Sequence, residues 1–117
     1  MARQERYYAR TADTRRVYPL TLMAGETLKL EIDWSQILGE KATSITNSCF
    51  ETDSGTVGIS DALAAGGVTS ALAAGSSAGV GMVVNCVTLA SGEILSRWWY
   101  IRVRDDPVVA PLSDYSA

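Results

Sequence analysis

The stretch Thr27-Leu28-Lys29-Leu30-Glu31-Ile32-Asp33-Trp34 puts Leu28, Leu30, Ile32 and Trp34 at every second position, with Lys29, Glu31 and Asp33 between them. In an extended chain this alternation gathers all the apolar side chains on one face and all the charges on the other. Wound as a helix, the same residues would scatter both kinds around the axis. The segment is therefore a half-buried antiparallel strand, and its apolar face requires a second layer to cover it.

The rest of the chain supplies further strands. Residues 17–23 alternate loosely, with Pro19 near the start, as suits an edge strand. A turn at Ala24-Gly25-Glu26 leads into the alternating strand, and residues 35–41 read as a short helical turn or loop around Gly39. Strands follow at 45–52 and 56–60, separated by Asp53-Ser54-Gly55. Residues 61–65 read as a loop or a single helical turn, because Ala and Leu favour helix while Gly66-Gly67 stops it early. Residues 68–73 are a further strand. An echo, Ala62-Leu63-Ala64-Ala65-Gly66 against Ala71-Leu72-Ala73-Ala74-Gly75, is too short for a repeat architecture. Residues 80–89 are almost continuously apolar, so both faces should be covered, and Ala90-Ser91-Gly92-Glu93 turns the chain into a last strand over 94–104. There Leu95, Trp99, Ile101 and Val103 share one face, and Ile94, Trp98, Tyr100 and Arg102 the other.

About seven short strands at turn spacings of roughly 8–12 residues predict an all-β fold, an immunoglobulin-like antiparallel β-sandwich. At 117 residues the chain has room for one such domain. The expected division is an extended basic N-terminal arm over 1–16, a sandwich over 17–106 and a C-terminal tail over 107–117. The arm has no apolar core region, so it is not a secretory signal, and no stretch is long and apolar enough for a membrane helix.

Charge is unevenly spread. Arg3, Arg6, Arg10, Arg15 and Arg16 against Glu5 and Asp13 give the arm +3, which leaves −6 on the other 101 residues of a chain of net charge −3. A basic arm on an acidic body suits docking onto an acidic neighbouring subunit. A nucleic-acid footprint would need basic surface on the body as well. Neither a nucleic-acid nor a membrane partner is expected.

Chemistry is constrained by the absence of histidine. The commonest general base and metal ligand is missing, so no Ser–His–Asp or Cys–His arrangement can form. Cys49 and Cys86 without histidine do not make a typical zinc site. They read as buried free thiols, with a tethered pair as the alternative. Gly79-Val80-Gly81 lacks the rest of a dinucleotide fingerprint. Asp105 and Asp106, and Glu51 with Asp53, have no EF-hand spacing and read as solvated loop acids, with a calcium site in these loops as the alternative. No catalytic residue, metal or cofactor is expected, and the chain reads as a non-enzyme. Its candidate interface residues are Arg3, Arg6, Tyr7, Tyr8, Arg10, Arg15 and Arg16 in the arm, and the aromatic–Arg patch Trp98, Tyr100 and Arg102.

Ile32-Asp33-Trp34-Ser35 with Leu38-Gly39, the run from Ala71 to Gly79, Ser91-Gly92, and Ile101-Arg102-Val103-Arg104-Asp105 occur in an order that resembles the fibre–tail adaptor family of tailed bacteriophages. The resemblance covers about residues 27–105. It implies a small Ig-like virion protein without catalytic residues, assembled in the bacterial host cytoplasm. Such a protein would link the tail or head–tail connector to fibres as a homo-oligomeric ring. A capsid decoration protein and a carbohydrate-binding module using Trp98 and Tyr100 are the alternatives. Within the resemblance, Trp34 is a core anchor, Ser35 opens the turn to Leu38-Gly39, and Asp33 faces outward or caps that turn.

Overall fold

The computed structural model describes residues 3–10, 17–53 and 55–105. Eight strands and one helix are found among them: β1 (Arg3–Tyr8), β2 (Val17–Met23), β3 (Thr27–Asp33), α1 (Ser35–Lys41), β4 (Ile45–Thr52), β5 (Val57–Ala65), β6 (Val68–Gly75), β7 (Gly79–Leu89) and β8 (Ile94–Arg104). They form two four-stranded sheets, one ordered β1-β3-β6-β5 and the other β2-β8-β7-β4. The all-β sandwich expected from the alternation is the fold of this chain.

The inward faces follow from the period of two. Leu28, Leu30 and Ile32 of β3 are fully buried against Leu22, Val83, Val87, Trp99 and Ile101 of the other sheet. Each such side chain taken out of water stabilises the fold by roughly 1.5–3 kcal/mol before ordering costs are counted. The β6 positions beside the β3 leucines carry small side chains: Leu28 pairs with Ala73 and Leu30 with Ala71. At the end of β6 a Cβ on Gly75 would lie 2.9 Å from the Met23 carbonyl oxygen and 3.0 Å from Val103 Cγ1, so only glycine lets the sheets close there.

One polar chain crosses this apolar interior. The Trp34 indole N–H donates to Thr69 Oγ1 at 3.0 Å, and the Thr69 hydroxyl donates to Asn85 Oδ1 at 2.7 Å. Asn85 Nδ2 then donates to Ser48 Oγ and to the Cys49 carbonyl, both at 3.0 Å. Every member has a partner, so the network ties β6 to β7 and β4 at no desolvation deficit. Trp34 is the core anchor expected of it, fully buried. Asp33 caps the turn beyond it, accepting from the Ser35 N–H at 2.9 Å and from the Ser35 hydroxyl.

Three expectations are corrected. Residues 3–8 are not part of a free arm: β1 is an integral strand of the sandwich, which therefore includes Arg3–Tyr8 ahead of residue 17, and the strands among the described residues number eight. The five arginines mask a second alternation in which Gln4, Arg6 and Tyr8 face outward while Glu5 and Tyr7 face inward. Nor is the sandwich wholly antiparallel, because both N-terminal edge strands pair parallel, β1 with β3 and β2 with β8. Finally, residues 61–65 are neither loop nor helical turn but the second half of β5. Gly66 and Gly67, with φ of 61° and 82°, form a two-residue hairpin loop that pairs Ala65 with Val68. Positive φ at both positions matches the twist of the flanking strands, so the ladder overrides the helix propensity of alanine. The two halves of the alanine–leucine echo are thus neighbouring strands of one hairpin.

The remaining arm residues, 11–16, the C-terminal tail over 107–117, Tyr115 and Asp106 lie outside the described residues.

Candidate protein interface

The outward face of the β2-β8-β7-β4 sheet carries a continuous apolar stripe. Trp98 and Tyr100 of β8 stand out from it with relative exposures of 37% and 46%, and Arg102 extends the line. Pairing fills in the flanks. Trp98 lies between Val17 of β2 and Val84 of β7, Tyr100 between Pro19 and Met82, and Arg102 between Thr21 and Val80. Val17 and Val80 are also exposed. An amphipathic aromatic stripe ending in arginine is the composition enriched where proteins meet. The alternation in 94–104 made Trp98, Tyr100 and Arg102 readable. Val17, Pro19, Met82 and Val80 join the patch only through strand register, which no local pattern in the sequence records.

The residues expected in the arm divide differently. Tyr7 is half-buried and packs its ring 4.5 Å from Tyr18 and 5.6 Å from Trp99, so it belongs to the core. Arg6 is held on its own sheet, 3.1 Å from Asp33 Oδ2 and 3.4 Å from Glu31 Oε1. Tyr7 is a correction to the interface list, since its ring faces inward, whereas Arg6 is paired on its own sheet and stays exposed. Tyr8 remains exposed, with the guanidinium carbons of Arg6 and Arg10 at 5.6 and 5.7 Å from its ring centre. Of Arg3 only the backbone is described, and Arg15 and Arg16 lie outside the described residues. β1 edges one sheet and β8 is interior to the other, so Arg6 and Tyr8 lie away from the Trp98 patch, while Arg10, just beyond β1, lines a cavity that Trp98 also borders.

Electrostatics sharpen the contrast. Hydrogen bonds from Ser35, aided by Arg6, hold the Asp33 carboxyl below its ordinary range, and the bond to Asp33 raises the Arg6 guanidinium. Cys49 and Cys86 pair directly across β4 and β7 on the same outward face as Trp98 and remain free thiols, partly rather than fully buried. Burial, the neighbouring Cys49 and the charge of Glu51 push the Cys86 thiol up. No cluster of three or more metal-ligating acids or cysteines occurs among the described residues, and none of their helices is long and apolar enough to cross a membrane.

No family model and no curated protein matches the sequence. By structure the chain is similar to the cysteine protease inhibitor EhICP2 from Entamoeba histolytica, at 8% identity over 86% of this chain and 97% of that one, with a TM-score of 0.52. It is also similar to PbICP-C, solved in complex with falcipain-2, at 9% identity over 88% and 100% of the two chains and a TM-score of 0.55. A PKD domain from the KIAA 1837 protein matches at 19% identity over 85% and 92%, with a TM-score of 0.44. At these identities the likeness to the two inhibitors shows the fold alone.

Proposed function

We propose that this chain is a non-enzymatic structural protein of a tailed-phage virion, an adaptor that joins the tail or head–tail connector to fibres through multi-copy ring assembly. The Trp98–Tyr100–Arg102 stripe carries this reading, because partly exposed aromatic rings lined up on an open sheet face suit a neighbouring subunit and not a small substrate. The quoted resemblance adds to it. Its Asp-Trp-Ser and Leu-Gly residues run from the end of β3 into α1, its glycine-rich run spans the β6–β7 turn, and its Arg-Val segment closes β8. Likeness to protease inhibitors transfers no inhibitory activity to this chain.

Reconstruction of the parent particle by cryo-electron microscopy tests the proposal. A ring of about one or two dozen copies at the tail or head–tail junction, with the Trp98 face seated on a neighbour, is the expected outcome. Hundreds of copies over the shell would make the chain a decoration protein, and its absence from the particle would overturn a virion role. In that last case, binding of host polysaccharide through Trp98 and Tyr100 becomes the reading to test.

A further inference from the structure

Arg97 is an arginine out of place. It sits on the inward face of β8, in line with Trp99 and Ile101, and is only 4% exposed. One terminal guanidinium nitrogen donates to the Ser96 carbonyl at 2.8 Å, and the guanidinium carbon lies 5.3 Å from the centre of the Trp34 ring. Its buried Nε–H has no partner among the described residues. A buried cation without an opposing anion carries a desolvation penalty of several kcal/mol, and neither one neutral carbonyl nor a ring face removes it.

The side chain lines a cavity of about 500 Å³ between α1, the end of β1 and the start of β8. Two more cations, Arg10 and Lys41, stand around it, and Glu93 is its one acid. Glu93 is engaged by Lys41 at 3.2 Å, with both side chains well exposed to water. Positive charge therefore exceeds negative at the cavity wall, and the deepest cation is the one left unanswered.

We propose that this cavity is a carboxylate-binding site in which Arg97 is the recognising residue, with Arg10 and Lys41 providing attraction from the sides. A carboxylate suits the planar fork of guanidinium N–H groups and supplies the charge that burial denies Arg97. Trp34 backs the guanidinium, and the polar chain through Thr69 and Asn85 fixes Trp34 in turn, so the fork is held in place before the anion arrives. The carboxylate belongs either to a free small molecule or to a Glu or Asp side chain of a neighbouring polypeptide. The cavity borders the Trp98–Arg102 stripe, since Trp98 lines its wall as well, but it recognises charge where the stripe offers apolar surface, and the titration below reads the site without any assembly.

The test is a titration of the full chain with citrate at constant ionic strength, read by thermal unfolding and by the Arg97 Nε–H and Trp34 indole signals in nitrogen–proton NMR. A saturable rise in Tm with a shift of both signals is expected. Arg97→Met should unfold at a higher temperature than the wild type without citrate, since the unpaired charge is gone, and should lose the response. Arg10→Gln should weaken the response a few-fold. A wild type with no saturable response, or an Arg97→Met protein that responds equally, overturns the site. Should Arg97→Met not fold, the wild-type NMR titration and the Arg10→Gln series decide alone. A parallel titration with a short polyglutamate peptide distinguishes the sources. Tighter binding than citrate assigns a neighbouring chain's side chain, weaker binding a small molecule, and both support the site.

Discussion

The two outward faces of this sandwich are built from the same strand geometry and differ in how their centres are filled. On the β1-β3-β6-β5 sheet, charge answers charge. Glu31 accepts from Gln4 at 2.6 Å, lies 3.4 Å from Arg6 and 3.6 Å from Lys29, and is itself nearly buried by them, while Asp33 holds Arg6 from the other side. On the β2-β8-β7-β4 sheet the corresponding positions carry Trp98, Tyr100, Val17 and Val80, and they stand open. A face whose charges satisfy one another is largely finished in water, although Tyr8 and Leu63 stand exposed on its two edge strands; Trp98 and Tyr100 instead stand side by side on an interior strand of the other sheet, an arrangement that suits a partner. The contrast directs attention from charge density in the N-terminal segment, the stronger signal in the sequence, to the aromatic sheet.

The largest effect is expected from the open face. Replacing both Trp98 and Tyr100 by Ala should reduce incorporation into particles by at least about 30-fold for each ring that acts as a binding anchor. Each ring also buries part of its surface against the sheet, so the double variant should lose some stability as well, and incorporation is compared at equal amounts of folded protein. Arg6→Ala is the opposing control and should leave incorporation unchanged. Normal copy number in the double variant would remove the stripe's assigned role. Deleting residues 1–16 is not an equivalent test, since it strips β1 from its sheet and Tyr7 from Trp99.

On the finished face the readout is stability. Glu31→Gln keeps the shape of the side chain but removes the charge that Arg6 and Lys29 share, and should cost about 1 kcal/mol in chemical denaturation. Hydrogen exchange should show the loss as faster opening of β1, with β7 and β8 unaffected. Equal protection of β1 in wild type and variant would mean that backbone pairing and the Tyr7 ring hold the strand without the charges.

Acid should act through Asp33. Its folded carboxyl lies below the unfolded value near 3.9, so the unfolded chain takes up the proton first. The stability it contributes is fully present above that value and is lost as pH falls through the folded one. Thermal unfolding between about pH 5 and pH 2 should therefore decline less steeply in Asp33→Asn than in the wild type. Parallel declines would show that the Ser35 and Arg6 contacts are too exposed to matter.

How much of this was legible beforehand follows the range of each interaction. The alternation at 27–34 and 94–104 is local, so the sandwich, the core role of Trp34 and the outward stance of Trp98, Tyr100 and Arg102 were readable. The fate of Arg6 was not, because its partners Glu31 and Asp33 lie 25 and 27 residues away and are brought to it by parallel pairing. Residues 61–65 were misread for a related reason: alanine states its helix preference locally, whereas Gly66-Gly67 and the register with 68–70 state the strand. Asn85 and Arg97 sat unnoticed in apolar and aromatic runs, where nothing marks a polar side chain as facing inward until the sheets are assembled.

The smallest effect probes the flank of the open face. Cys86 is cross-strand from Cys49 and one pair of positions along β7 from Val84, which sits beside Trp98. Its raised thiol lowers the thiolate fraction, and the thiolate is the reactive form. Alkylation in a Cys49→Ala background at pH 8 should run a few-fold slower than for an unstructured cysteine peptide. The linked stability has the opposite pH sense from that of Asp33. A folded pKa raised above the unfolded one contributes fully below the unfolded value and is lost as pH rises through the folded value. The wild type should therefore lose stability in mild alkali by a margin that Cys86→Ala does not share. Alkylation as fast as the free peptide would show that β4 peels from β7 in solution, and the open face would then be a rigid stripe over β2 and β8 bordered by a yielding edge. Slow alkylation that slows further in the assembled particle would carry the covered surface from Trp98 across β7 to the edge strand.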